Sequence, residues 1–202
     1  MERRGFVRNL VTGGAAVASG AVPYGIAHLL APRRATAQRN YLRPPGALKN
    51  DEAFVAACIG CGLCGEICPP RCILFHARDG GAKVNTPYID AEAKACILCG
   101  KCGDVCPTEA LVPAPREQVY MGIAEIDRLA CYPWVDTGVC GACVSICPLG
   151  DKAIDFKLWN QYRPVIKQGC VGCGLCVEVC PHPSKPIWIV QRSGDAAVEQ
   201  QT

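Results

Sequence analysis

Aromatic side chains are scarce in this chain. Phenylalanine, tryptophan and tyrosine together make up 6% of its 202 residues. That scarcity excludes a large aromatic core, so something besides side-chain burial must hold the fold. In small units, metal or disulfide staples usually do so. No C-x-x-C-H occurs, which excludes a c-type haem attachment site. There is no phosphate-binding glycine loop, because the glycines fall among cysteines, and no pair of carboxylates suits general acid–base work. These absences leave no residue set for an enzyme.

What the chain has instead is seventeen cysteines. Most fall in one repeated pattern. The first run is Cys58, Cys61, Cys64 and Cys68 followed by Pro69; the second is Cys96, Cys99, Cys102 and Cys106 followed by Pro107. The fourth is Cys170, Cys173, Cys176 and Cys180 followed by Pro181. All three read C-x2-C-x2-C-x3-C-P, the bacterial ferredoxin spacing. The third run is stretched to C-x8-C-x2-C-x3-C-P, with Cys131, Cys140, Cys143 and Cys147, and Tyr132 to Val139 must loop out before a sulfur returns. Three cysteines at intervals of three let a loop wrap one side of a cube. Gly60, Gly62, Gly172 and Gly174 let the backbone come close with positive φ, and amides freed there can point at sulfur. In two-cluster ferredoxins the fourth cysteine ligates the other cluster. The expectation is four [4Fe–4S] clusters held by these sixteen cysteines, with no catalytic residues. Runs one and two are expected to share clusters, as are three and four; the nested alternative pairs one with four and two with three. Intervals of 28, 25 and 23 residues between the runs do not separate the two.

Rival readings fit the pattern poorly. A disulfide framework does not need near-identical C-x2-C-x2-C-x3-C-P runs, and zinc sites use cysteine pairs rather than triplets with a delayed Cys-Pro. Cys72 is the seventeenth cysteine and reads as a small buried apolar residue; the sharper alternative is a substitute ligand should Cys131 fail to reach its cluster. His76 and His182 read as structural or surface residues. Trp134, Trp159 and Trp188 read as packing or shielding.

Short apolar stretches flank the runs: 72–75, 110–112, 119–126, 153–156, 164–166 and 186–190. They predict short strands. Strand, cysteine loop, helical turn and strand compose an α+β fold of two tandem or nested bacterial-type ferredoxin-like units, each with two [4Fe–4S] clusters.

The N-terminus reads as an address. Arg3-Arg4-Gly5-Phe6-Val7 resembles the twin-arginine export signal. A weakly apolar, Gly- and Ala-rich stretch from Leu10 to Ala31 follows, and Ala35-Thr36-Ala37 suits cleavage before Gln38. The alternative is an uncleaved signal kept as an anchor. The expected organisation is a signal over 1–37, a lead-in over 38–53, runs one and two within 54–112, runs three and four within 113–190, and a flexible polar tail over 191–202. Free thiols in an oxidising compartment are driven toward disulfides, so export of the folded, loaded protein suits the cysteines. Residues 1–37 carry five arginines against one glutamate, net +4, so the formal +3 becomes −1 without them. Four clusters at a formal −2 each take the loaded protein to about −9. The basic whole-chain value therefore gives no support for nucleic-acid binding.

The chain resembles the ferredoxin-type NapG/MauM family from Tyr41 to about Val190. The likeness rests on Arg43-Pro44-Pro45-Gly46-Ala47 ahead of Phe54-Val55-Ala56-Ala57-Cys58, on Thr86-Pro87-Tyr88, and on the stretched third run leading into Cys147-Pro148-Leu149-Gly150-Asp151-Lys152-Ala153-Ile154. The resemblance implies a periplasmic four-cluster protein, associated with the membrane through a quinol-oxidising partner. It would relay electrons to a periplasmic oxidoreductase without being an enzyme itself. An integral electron-transfer subunit of a molybdoenzyme is the alternative, and an iron–sulfur maturation factor a weaker one.

Overall fold

Short antiparallel strand pairs bracket the cysteine loops in the computed structural model, which describes residues 41–77, 83–157 and 161–190. The expected signal over 1–37, the cleavage before Gln38, Trp159 and the polar tail over 191–202 lie outside the described residues. No helix among the described residues is long and apolar enough to cross a membrane.

The chain is described from strand β1 (Tyr41–Leu42). Helix α1 (Asp51–Ala57) follows, and its sequence explains its bounds. The Asn50 side chain accepts from the N–H groups of Glu52 at 2.8 Å and Ala53 at 3.2 Å, satisfying amides the helix leaves free. Asp51 and Glu52 sit in its first turn, where the helix dipole favours negative charge. Its one buried residue is Phe54.

Four helical turns then recur, one per cysteine run: α2 (Leu63–Glu66), α3 (Lys101–Asp104), α4 (Ala142–Ser145) and α5 (Leu175–Glu178). Each stops two residues before a Cys-Pro step. A residue preceding proline is disfavoured in helical conformation, and the proline has no N–H to continue the ladder. The fourth cysteine of every run is thereby turned out at a helix end.

The strands repeat one plan in each half. In the second half, β4 (Ile123–Ile126) precedes run three and pairs with β7 (Ile187–Val190), which follows run four. Between those runs lies the hairpin of β5 (Ile154–Phe156) and β6 (Pro164–Ile166). In the first half, the inner hairpin is β2 (Ile73–Phe75) with β3 (Pro87–Asp90). There the outer pair shrinks to a single bridge, Ala47 to Leu111. β1 adds to the free edge of β3, in the order β1-β3-β2. The helices and small sheets are those of small ferredoxin-like units.

The lead-in is bound in by one arginine. Arg43 Nε donates to Asp51 at 2.6 Å, while its Nη1 donates to the Thr86 hydroxyl at 3.2 Å and the Pro87 carbonyl at 2.9 Å. Its guanidinium lies 4.6 Å from the centre of the Phe54 ring. Phe54, Leu42 and Ile89 are fully buried beneath it. The core continues from these residues through cysteines of both halves to Val171, Val177, Ile187 and Ile189.

Candidate metal centres

The cysteine loops share a backbone device. Gly62, Gly100 and Gly174 each begin a helical turn from left-handed conformation, with φ of 82°, 76° and 87°. Gly141 holds the same place in run three but has φ −145°. The stretched run thus approaches its turn along a different path. Two residues earlier in run two, Leu98 takes φ 57° although it is not glycine. Its N–H points at the Cys96 sulfur at 3.3 Å, and its carbonyl accepts from Arg116 Nε at 3.1 Å. These contacts hold a conformation costly for a branched side chain.

The loops bring the cysteines together across runs. One hollow is lined by Cys58, Cys61 and Cys64 of run one together with Cys106 of run two. Phe54, Phe75, Pro107 and Leu111 complete its wall. A second is lined by Cys170, Cys173 and Cys176 of run four with Cys147 of run three, amid Leu149, Ile154, Ile166 and Ile189. Burial raises the Cys131 thiol, and Cys140 and Cys180 lie near enough for their charges to add to the rise, which sets the stretched loop's sulfur near run three and the last cysteine of run four. Cys143 in turn feels Cys131 and Cys140. In the fourth group Cys102 lies beside Cys96 and Cys99, and Cys68 approaches through Cys72, whose sulfur is 3.6 Å away. Helices α2 and α3 pack on each other, as do α4 and α5. The runs therefore meet sequentially rather than in the nested order.

Electrostatics distinguishes the thiols. Burial pushes Cys64 up to about 11 and Cys102, Cys143 and Cys173 up to about 12, with neighbouring thiolates adding to the rise. Cys176 is raised for the same reasons, and Cys131 by burial. Cys106 goes the other way. Burial opposes its charge, yet the Thr108 hydroxyl and the amides of Thr108, Ala110 and Leu111 outweigh it and lower the pKa. Loading a metal group onto the raised thiols must release protons.

Cys72 and Cys96 form a matched pair. The hydrogen bond to Cys96, then burial, raise Cys72; the same bond lowers Cys96 and is aided by the Leu98 amide. Cys72 thus lies beside both Cys68 and Cys96, in the other half of the chain from Cys131.

The inserted loop of run three has its own anchors. Asp127 ends β4 in a tight turn: its side chain accepts from the Leu129 amide at 2.8 Å and its carbonyl from the Cys131 amide at 3.0 Å. Trp134 Nε1 donates to the Pro164 carbonyl at 3.0 Å. The indole has Arg128 4.6 Å and Arg163 5.5 Å from its ring centre. Arg163 also donates to both carboxylate oxygens of Asp136 at 2.8 and 2.9 Å. Trp134 is thus a packing residue, whereas Trp188 stays exposed on β7. His76 stacks among Tyr41 and Tyr88, and His182 against Tyr132. Thr108, Arg116 and Glu178 are supporting residues that the cysteine pattern does not reveal. Thr108 alone carries a sequence signal, a hydroxyl two residues after a run's last cysteine.

Among the described residues no three side chains converge closely enough to hold a single metal ion. In the two hollows the sulfurs stand around apolar walls, three from one loop and one from its neighbour. That donor set fits a cubic [4Fe–4S] group, whose four irons each take one thiolate.

Comparison with known proteins agrees. The 4Fe-4S dicluster domain family matches residues 57–110, 95–151 and 137–184, segments that overlap at runs two and three. The ferredoxin-type protein NapG of Escherichia coli is 37% identical over 44% of this chain and 36% of its own length. The methylamine utilization ferredoxin-type protein MauM of Methylophilus methylotrophus is 34% identical over 62% of this chain and 57% of its own. The chain thus spans less than two thirds of either relative. MauM of Paracoccus denitrificans is 31% identical over 78% of this chain and 75% of its own length. Cysteine runs that fold sequentially about apolar hollows, and likeness to relatives of both kinds, have one meaning: the chain belongs to the NapG/MauM family of ferredoxin-type iron–sulfur electron-transfer proteins with [4Fe–4S] clusters.

Proposed function

We propose that this chain is a periplasmic relay passing single electrons through four [4Fe–4S] clusters. The donor is a membrane-bound quinol-oxidising partner and the acceptor a periplasmic oxidoreductase. The observation that carries the relay is the exchanged fourth cysteine: Cys106 joins the run-one hollow and Cys147 the run-four hollow.

Sixteen cysteines act as ligands in this reading. Site 1 takes Cys58, Cys61, Cys64 and Cys106, and site 2 takes Cys96, Cys99, Cys102 and Cys68. Site 3 takes Cys131, Cys140, Cys143 and Cys180, and site 4 takes Cys170, Cys173, Cys176 and Cys147. Together they compose two tandem α+β ferredoxin-like units. A bound cluster supplies reversible one-electron chemistry. The residues around it set conditions for that chemistry. Phe54, Phe75 and Leu111 give site 1 an apolar wall, and Ile154, Ile166 and Ile189 do so at site 4. Amides tune the sulfurs: Ala124 N–H lies 3.4 Å from Cys170 and Leu98 N–H 3.3 Å from Cys96. Such donors stabilise the more negative state and raise the potential.

The N-terminal arginine pair and the family likeness support this location and these partners. The twin-arginine route would deliver the chain folded and loaded, membrane-associated only through its partner. A loaded charge of about −9 favours partners with a positive face. Anaerobic affinity capture from solubilised membranes tests the assignment. Recovery of a quinol-oxidising membrane protein and a periplasmic oxidoreductase is the expected outcome. Recovery from the cytoplasm alone, with labile and substoichiometric iron, would contradict it.

A further inference from the structure

We propose that electrons cross between the two halves from run two to run four, so that the relay order is site 1, site 2, site 4, site 3. The inference rests on the four-cluster reading and adds the order of its parts, which chain order does not give.

The junction is specific. The Cys96 N–H donates to the Cys173 carbonyl at 3.0 Å, so a ligand of site 2 and a ligand of site 4 are joined by one main-chain hydrogen bond. The neighbouring Ala95 N–H donates to Glu178 Oε2 at 2.7 Å, and Lys94 faces Glu178 Oε1 at 3.5 Å. Lys185 Nζ donates to the Glu92 carbonyl at 2.8 Å. Gly174 is held at φ 87°, and a Cβ added to it would stand 2.6 Å from the Ala91 Cβ. Any side chain at position 174 would push the two loops apart. Segment 91–96 and loop 173–178 are therefore fitted to each other.

Burial runs the same way. Leu98 of run two and Val171 and Val177 of run four are 2%, 5% and 2% exposed. Beside the other two sites some apolar residues face out: Ile59 is 67% and Leu63 48% exposed beside site 1, Leu129 90% and Val139 82% beside site 3. Cys61 is itself exposed. Sites 2 and 4 thus meet at the junction between the halves, and sites 1 and 3 would be the two ends at which electrons enter and leave. With clusters bound, the crossing would move one electron from a reduced site 2 to an oxidised site 4, or back, and no bond or proton would change place. Cys96 and Cys173 provide a bonded route through one main-chain hydrogen bond, and Glu178 acts as a positioning residue that holds the segments together.

Pulsed EPR distance measurement on the full, anaerobically purified and reduced chain tests this. Cys58→Ala with Cys140→Ala leaves sites 2 and 4; Cys99→Ala with Cys173→Ala leaves sites 1 and 3. The first protein should show a dipolar interaction several-fold stronger than the second. Equal interactions, or a stronger one in the second protein, would overturn the order. Should the double variants fail to fold, Glu178→Lys keeps every ligand and sets a cation against Lys94. It should retain wild-type iron while the coupling between halves falls several-fold; unchanged coupling overturns the order. Iron is counted in the same samples. A wild-type chain short of four clusters would refute the proposed function, whereas full iron with the wrong coupling pattern would refute only the order.

Discussion

Gly46 shows how much a single position in the lead-in determines. It has φ 81°, and a Cβ there would run into the Val112 carbonyl oxygen. Its own carbonyl accepts from the Val112 amide at 2.9 Å, tying the lead-in to the segment after run two. Left-handed backbone alone costs a non-glycine residue about 1–2 kcal/mol, and the collision adds to that. Gly46→Ala should therefore lower the thermal midpoint by several degrees; an unchanged midpoint would contradict this contact. The cysteines divide as sharply. Cys72 is 2% exposed, lies 3.6 Å from the Cys68 sulfur and is not among the sixteen proposed ligands, so Cys72→Ala should leave the iron content unchanged. Cys106→Ala should lose one cluster's worth, and the reverse result would exchange their roles. Asp51 carries a pH dependence. Burial opposes its charge, but Arg43 and Lys83 outweigh burial and hold its pKa below the usual carboxylate value. A depressed pKa contributes stability above the unfolded value of 3.8, lost as pH falls through the lower folded value. Arg43→Ala should flatten the loss of stability on acidification below about pH 4, measured by denaturant unfolding from pH 7 downward.

Among the elements, the loop from Tyr132 to Val139 is the least expected from spacing and the most revealing. The eight-residue loop, six residues longer than its counterparts, threatens the geometry of run three, yet Trp134 fixes it with one hydrogen bond and two stacked arginines. A net hydrogen bond is worth about 1 kcal/mol and each exposed cation–π contact about 0.5–1 kcal/mol. Trp134→Ala should thus cost about 2–3 kcal/mol and make the iron of site 3 the first to be lost on mild chelation. Loss of all sites together would show that the loop does not act on site 3 in particular. Much at this scale was legible in advance. The Cys-Pro steps marked where each helical turn stops, and 73–75, 154–156, 164–166 and 187–190 form strands where apolar runs predicted them. The stretch 110–112 makes only a bridge at Leu111, because Gly46 brings the lead-in against it over too few residues for a ladder. β1 and β3 escaped prediction because β1 pairs over only two residues and a strand opening on Pro87 carries a weak strand signal. Arg43-Pro44-Pro45-Gly46 and Thr86-Pro87, far apart in sequence, are in contact through the Arg43 guanidinium.

For the whole molecule, spacing named the cysteines but not their neighbours across the fold. Near-equal intervals between runs fit sequential and nested pairing alike; strand pairing and helix contacts within each half distinguish them. Which halves' ligands touch was invisible for a simpler reason. It depends on a close approach of Gly174 to Ala91, and a glycine inside a cysteine loop looks the same whether it faces a cluster or another loop. The most direct measurement is iron and acid-labile sulfide on the anaerobically purified chain, followed by EPR of the reduced protein. Four cubes require about sixteen irons and about sixteen sulfides per chain, with reduced [4Fe–4S] signals. A stably folded chain that carries zinc and no sulfide, or only about eight irons, would contradict it.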